Sequence, residues 1–79
     1  MAKLPTADEK ARMALEAFRS IAGRPGDVVT RQHFTAVARE KGWRIDEVVE
    51  GIKVCYDRSW FEVGPNGSDR LTETGFSEL

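Results

Sequence analysis

The sequence has 79 residues, a formal net charge of −1, 41% hydrophobic residues and 32% charged residues. This length and composition predict one small globular domain over residues 1–79 with a thin core, and they exclude the disordered and fibrous classes. One cysteine and one histidine exclude an internal disulfide and a zinc knuckle, and no apolar run approaches the roughly 20 residues of a membrane span.

The first predicted helix covers about 7–22 and begins after Thr6. Thr6 and Glu9 have the spacing of a capping box, in which each side chain accepts a hydrogen bond from the other residue's backbone N–H. Gly23 and Pro25 end the helix. Apolar residues recur at helical spacing on one broad face, which we predict to be buried: Ala11, Ala14, Leu15, Ala17, Phe18, Ile21 and Ala22.

Residues 27–30 are short and β-branched, which suits one small strand. Thr30 can cap a second helix, predicted over 31–41. The side chains on the buried side of that helix are Phe34, Val37 and Ala38.

The second and third predicted helices are joined by a short turn. Gly42 favours a left-handed helix end, and Trp43 just beyond it is placed to pack back on Ala38. The third helix begins near Asp46, so the turn has about four residues, which is the spacing of a helix-turn-helix.

The third predicted helix, 46–58, has the clearest amphipathic pattern of the chain. Its predicted apolar face consists of Ile45, Val48, Val49, Ile52, Cys55 and Tyr56. Its predicted solvent face consists of Asp46, Glu47, Glu50, Lys53, Val54, Asp57 and Arg58. The solvent face therefore carries four acids and two bases, a formal charge of −2, with Val54 as one exposed apolar residue in the middle.

The last twenty residues predict an antiparallel hairpin. The aromatic and β-branched segment 59–63 favours a strand, 64–68 is a run of turn formers, and 69–73 returns as the second strand. Phe76 is expected to fold over the core.

The turn from Gly42 to Ile45, the amphipathic third helix, the hairpin, and the segment Leu71-Thr72-Glu73-Thr74-Gly75-Phe76 together resemble the winged helix-turn-helix superfamily. The resemblance implies an α+β fold, a small winged helix of three helices plus a C-terminal hairpin, the wing. Members that bind DNA place the third helix in the major groove. In those members the wing or the start of the second helix contacts phosphates. Carried over to this chain, Arg31 and His33 would lie near a phosphate at the start of the second helix, Arg44, Lys53 and Arg58 on or beside the third helix, and Asn66 and Arg70 in the wing.

The charge distribution opposes a DNA-binding role. Residues 1–44 contain nine bases and five acids, a net +4, whereas residues 45–79 contain three bases and eight acids, a net −5. DNA binding depends largely on cations that neutralise phosphates, and the third helix offers mainly carboxylates there.

Two functions therefore stay open. The first is a protein-interaction module that binds a basic partner, or a second copy of the chain, through the acidic third helix and the wing. The residues predicted to make that contact are Asp46, Glu47, Glu50, Val54 and Asp57. The alternative is a small nucleic-acid-binding transcriptional regulator.

Nothing in the sequence indicates an enzyme, a cofactor, a metal site or a small-molecule substrate. His33 lies in the first turn of a helix and suits a surface or capping role, and Cys55 suits a small buried hydrophobe. Trp43 and Trp60 are expected in the core. The single thiol and the lack of an export signal in residues 1–6 are typical of a cytoplasmic protein.

Overall fold

The computed structural model describes residues 4–79, which form four α-helices and a three-stranded antiparallel sheet, so the predicted α+β class is confirmed. Part of the expectation about residues 1–6 falls on 1–3, which lie outside the described residues. None of the helices in 4–79 is long and apolar enough to cross a membrane. The elements are α1 (Ala7–Arg19), β1 (Val28–Val29), α2 (Arg31–Lys41), α3 (Ile45–Asp57), β2 (Phe61–Val63), β3 (Asp69–Leu71) and α4 (Glu73–Phe76).

Helix α1 begins as predicted and ends three residues early. The Glu9 N–H donates to Thr6 Oγ1 at 3.1 Å, and the Thr6 N–H donates to Glu9 Oε1 at 3.0 Å, which confirms the capping box. Beyond Arg19 the chain leaves the helix, Ala22 takes a positive φ of 52°, and the Gly23 N–H donates to the Phe18 carbonyl at 2.8 Å. The prediction that Ile21 and Ala22 extend the buried face is therefore wrong, and both are exposed.

Helix α2 has the predicted bounds because both of its ends carry strong local signals. Thr30 Oγ1 accepts a hydrogen bond from the His33 N–H at 3.3 Å. At the other end Gly42 has φ 73°, and the Trp43 N–H donates to the Ala38 carbonyl at 2.8 Å. This is the Schellman ending that the glycine predicted.

Helix α3 is rotated relative to the predicted amphipathic pattern. Its fully buried residues are Val48, Gly51, Ile52 and Cys55. The predicted apolar face is wrong at Ile45, which is exposed. Val49 and Tyr56 are half-buried, and Tyr56 packs against the core. The reason for the rotation is Gly51, which sits so close to α1 that a Cβ atom there would overlap the carbonyl oxygen of Lys10.

The sheet has the order β1-β3-β2, and both pairings are antiparallel. The hairpin and the short strand at 28–29 are thus confirmed, although β2 and β3 are shorter than predicted. Strand β3 ends at Leu71 because Thr72 caps α4, a short helix that the sequence analysis missed: the Gly75 N–H donates to Thr72 Oγ1 at 3.0 Å. Phe76 lies on α4 and is 44% exposed, so its expected place over the core is wrong.

The core is built around the aromatic rings of Phe18, Phe34 and Phe61, with centroid separations of 5.1 to 6.3 Å. Such edge-on and tilted contacts are favourable arrangements for aromatic pairs. Trp60 is buried as expected and lies beneath the guanidinium group of Arg58, 5.0 Å from the ring centroid. Trp43 is only half-buried and packs against the edge of the core.

Candidate interaction surface

The outward side of α3 exposes Asp46, Glu50, Lys53 and Asp57. We call these four residues the acidic flank. Asp46 and Glu47 also lie in the first turn of α3, where the partial positive charge of the helix N-terminus stabilises carboxylates. The predicted anionic side of the third helix is therefore exposed to solvent at three acids and one lysine, whereas Glu47, predicted with them, is half-buried.

Two acids of this surface are paired within the chain. Glu50 Oε2 lies 2.5 Å from the Nζ atom of Lys10 on α1, and this hydrogen bond raises the pKa of Lys10. Asp46 accepts from Arg44 at 3.1 Å. The Arg44–Asp46 pair is exposed on both sides, and the Glu50 side of the other pair is exposed too, so both pairs contribute little to stability and can exchange partners. In the part of the chain that the structure describes, the carboxylates of Glu47 and Asp57 have no ion pair.

Val54 does not lie on the solvent face as predicted. It is half-buried and packs against the core. Val54 is three residues after Gly51 and so lies on the same side of α3, the side that contacts α1. The prediction of an exposed valine surrounded by charges is therefore wrong, and the acidic flank has no apolar centre at this position.

The residues predicted for a nucleic-acid contact at the start of α2 are engaged within the chain. Arg31 Nε donates to Asp69 Oδ2 at 2.9 Å, and Asp69 is 1% exposed. His33 Nε2 lies 2.9 Å from the Ala17 carbonyl oxygen and 3.1 Å from Ser20 Oγ, at the end of α1. His33 thus links α2 to the last turn of α1.

The predicted contacts near α3 and the hairpin are also largely satisfied internally. Arg58 donates to Asp8 Oδ1 at 2.6 Å, and the hydrogen bond from Arg58, followed by that from Arg12, lowers the pKa of Asp8. Arg70 lies 3.9 Å from Glu62. Two residues of the predicted set, Lys53 and Asn66, are exposed and have no side-chain partner within the described range 4–79.

The structure reveals a further surface feature that the sequence analysis missed. A groove of about 480 Å³ lies between α1 and the turn that joins α2 to α3, with Met13 and Trp43 among its lining residues. Met13 lies outside the buried face that the sequence pattern predicted for α1. One signal in the sequence could have indicated it. Met13 is four residues after Glu9 and three before Glu16, so the three side chains share one side of α1, with a large apolar residue between two acids.

The side chains most suited to covalent or metal chemistry are not available for it. Burial raises the pKa of the Cys55 thiol to about 12, so Cys55 is protonated at neutral pH and is not a nucleophile. Its Sγ atom contacts the Ala11 carbonyl oxygen at 3.4 Å. Among residues 4–79, no three His, Cys, Asp or Glu side chains converge as metal ligands would.

Comparison of the chain with protein-family models, with curated proteins and with solved structures gave no match.

Proposed function

We propose that the chain is a non-enzymatic winged-helix module that binds a basic protein partner through the acidic flank and the wing formed by β2 and β3. The winged-helix assignment is supported by the order of the elements, α1, β1, α2, α3 and then the hairpin, and by the short glycine turn between α2 and α3. Winged helices serve as protein-binding modules as well as DNA-binding domains, so the site and not the fold decides between them.

The observation that carries this proposal is the charge that α3 presents to solvent. Asp46, Glu50 and Asp57 are exposed, and one lysine lies among them. The wing also exposes an acid, Glu62, and an apolar residue, Val63, which is 73% exposed. A surface of this sign steers and selects a partner that carries clustered lysine and arginine residues.

Charge reversal on the acidic flank tests the proposal. We expect Glu50→Lys with Asp57→Lys to weaken binding to a purified basic partner, first identified by affinity capture and mass spectrometry, by at least tenfold. The matched control is Glu40→Lys with Glu73→Lys, which makes the same charge change at exposed sites outside the flank. Equal affinity of the two double variants would contradict the proposal. Sedimentation at low and high salt separates a hetero-partner from self-association, because a charge-driven dimer dissociates as ionic strength rises.

A second candidate function, duplex DNA binding, is favoured by the exposed and unpaired Lys53 on the outward side of α3. It is opposed by the internal partners of Arg31, which binds the buried Asp69, and of Arg58, which binds Asp8 and lies over Trp60. A labelled duplex titrated at low salt distinguishes the two functions. DNA binding requires micromolar affinity, a steep salt dependence and a loss on Lys53→Glu, whereas we expect no retardation.

A further inference from the structure

The groove beside α1 has an apolar floor that is formed before any partner binds. Met13 and Trp43 are half-buried, and both pack against the core, which fixes one side of each residue. The backbone of Trp43 is held by its hydrogen bond to the Ala38 carbonyl. The full lining consists of Pro5, Glu9, Arg12, Met13, Glu16, Trp43 and Glu47. A concave apolar surface with a polar rim is the usual form of a binding site.

The rim of the groove is acidic. Three of its lining residues are glutamates, Glu9, Glu16 and Glu47, and only Arg12 is basic. The Arg12 guanidinium binds Asp8 and Glu78, each at 3.1 Å, and Glu16 pairs with Arg19 at 3.4 Å. Counted with these partners, the groove still has more acids than bases around it. The groove therefore attracts a ligand that is both apolar and cationic.

The walls of the groove also limit the shape of the ligand. They belong to α1, to the α2–α3 turn and to the first turn of α3, and none is a strand edge that could pair with an added strand. Roughly 150 Å³ holds one benzene-sized group, so the 480 Å³ of the groove is room for about two or three apolar side chains of a ligand. Side chains on one face of a helix meet these conditions, because residues three and four positions apart project together.

We infer that this groove binds a basic amphipathic helix of a partner protein, with apolar side chains between Met13 and Trp43 and lysine or arginine residues against the glutamate rim. The inference rests on the proposed function and names its partner class. The groove adjoins the acidic flank through Glu47, in the first turn of α3. One basic helix can therefore contact both surfaces, with the groove supplying the apolar anchor that the flank lacks.

The test is a titration of ¹⁵N-labelled protein, followed by NMR, with three synthetic 14-residue peptides. The first is an amphipathic helix of lysine and leucine, the second replaces every leucine by serine, and the third replaces every lysine by glutamate. We expect only the lysine–leucine peptide to shift the indole N–H of Trp43 and the backbone amides around Met13. The other two peptides each lack one of the two features that the groove recognises.

Two variants locate the binding. Trp43→Ala and the double variant Glu16→Lys with Glu47→Lys should each weaken the lysine–leucine peptide at least tenfold, whereas the control Glu40→Lys with Glu73→Lys should change its affinity less than threefold. Glu16 and Glu47 are half-buried, so circular dichroism checks that each variant is folded before its affinity is measured. The three-peptide titration uses the unaltered chain, so the test does not depend on any variant folding.

The remaining outcomes overturn the inference in distinguishable ways. Shifts confined to Glu50, Lys53 and Asp57 would overturn the groove and leave the proposed function standing. Equal binding by the lysine–serine peptide would show that charge alone attracts the peptide and that the apolar floor does not contribute. Shifts of Trp43 with rising protein concentration and no peptide would make a second copy the occupant. If no peptide shifts the groove, the inference fails, and the purified-partner experiment decides the proposed function separately.

Discussion

Helices α1 and α2 pack against α3 in opposite ways. Between α1 and α3 the backbones touch, because Gly51 has no side chain and alanines occupy the facing positions. Between α2 and α3 a crevice of about 100 Å³ stays open, and Val49 on its wall is only half-buried. The comparison indicates that close backbone contact joins α1 and α3 into a rigid pair, whereas apolar packing alone leaves a gap between α2 and α3.

We call the contact between α1 and α3 the first junction and the contact between α2 and α3 the second junction. The second junction is completed by polar groups instead of apolar contact. Asp69 of β3 accepts hydrogen bonds from Arg31 at the start of α2 and from the hydroxyl of Tyr56 in the last turn of α3. Asp69 is buried, so its side chain would be destabilising there without these two hydrogen-bond partners. Polar networks depend on direction more than apolar packing does, which fixes the position of α2 without a dense core on that side.

The largest expected effect comes from breaking the first junction. Gly51→Ala should lower the free energy of unfolding by about 3 kcal/mol or more, because the added methyl group meets the backbone of α1 and not a movable side chain. Urea denaturation followed by circular dichroism measures the loss. Gly42→Ala is the matched control, since its φ is 73° and an added Cβ has no atom within 4 Å. We expect only about 1 kcal/mol there, from backbone strain. Equal losses would show that the helices do not touch at Gly51.

Breaking the second junction should lower the free energy of unfolding by a somewhat smaller amount. We expect Asp69→Asn to lower the free energy of unfolding by about 2–3 kcal/mol, because the neutral amide leaves the Arg31 guanidinium without its carboxylate. Tyr56→Phe removes one hydrogen bond and keeps the ion pair, so we expect about 1 kcal/mol.

Amide hydrogen exchange shows whether Asp69→Asn destabilises the whole chain or mainly α2. Asp69→Asn should reduce the protection of backbone amides mainly in α2. The amides at the α1–α3 contact should keep the same ranking of protection among themselves. Uniform loss of protection in all helices would contradict the idea that α2 is held separately from the rigid pair.

The same contrast explains which features could be predicted from the sequence. The bounds of α2 and the capping box at Thr6 depend on neighbouring residues, so local signals were sufficient. The role of Gly51 was missed because a glycine adds nothing to the hydrophobic pattern of a helix. Its role depends on the close approach of a second helix, which the local sequence does not indicate. The groove at Met13 and Trp43 likewise combines elements about thirty positions apart. The acidic flank was predicted because exposed charge follows directly from the amphipathic pattern of one helix.

Alkaline pH distinguishes the two junctions through neighbouring residues of α3. Cys55 belongs to the first junction and Tyr56 to the second, and burial is the main cause that raises the pKa of each to about 12, from ordinary values of 9.0 and 10.0. In that range the unfolded chain loses protons that the folded chain retains. Stability therefore falls as pH rises, by up to about 1.4 kcal/mol per pH unit for each group.

The window between pH 9 and pH 10 isolates the first junction, because Tyr56 and Lys10 begin to contribute only near their ordinary pKa values of 10.0 and 10.5. Urea denaturation at a series of pH values should show the wild-type free energy of unfolding falling in this window. Cys55→Ala should flatten the fall there, whereas Tyr56→Phe should flatten it only above pH 10. A wild-type curve that is level between pH 9 and 10 would mean that the Cys55 thiol reaches solvent in the folded chain, and that the contact between α1 and α3 opens more readily than their close backbone approach indicates.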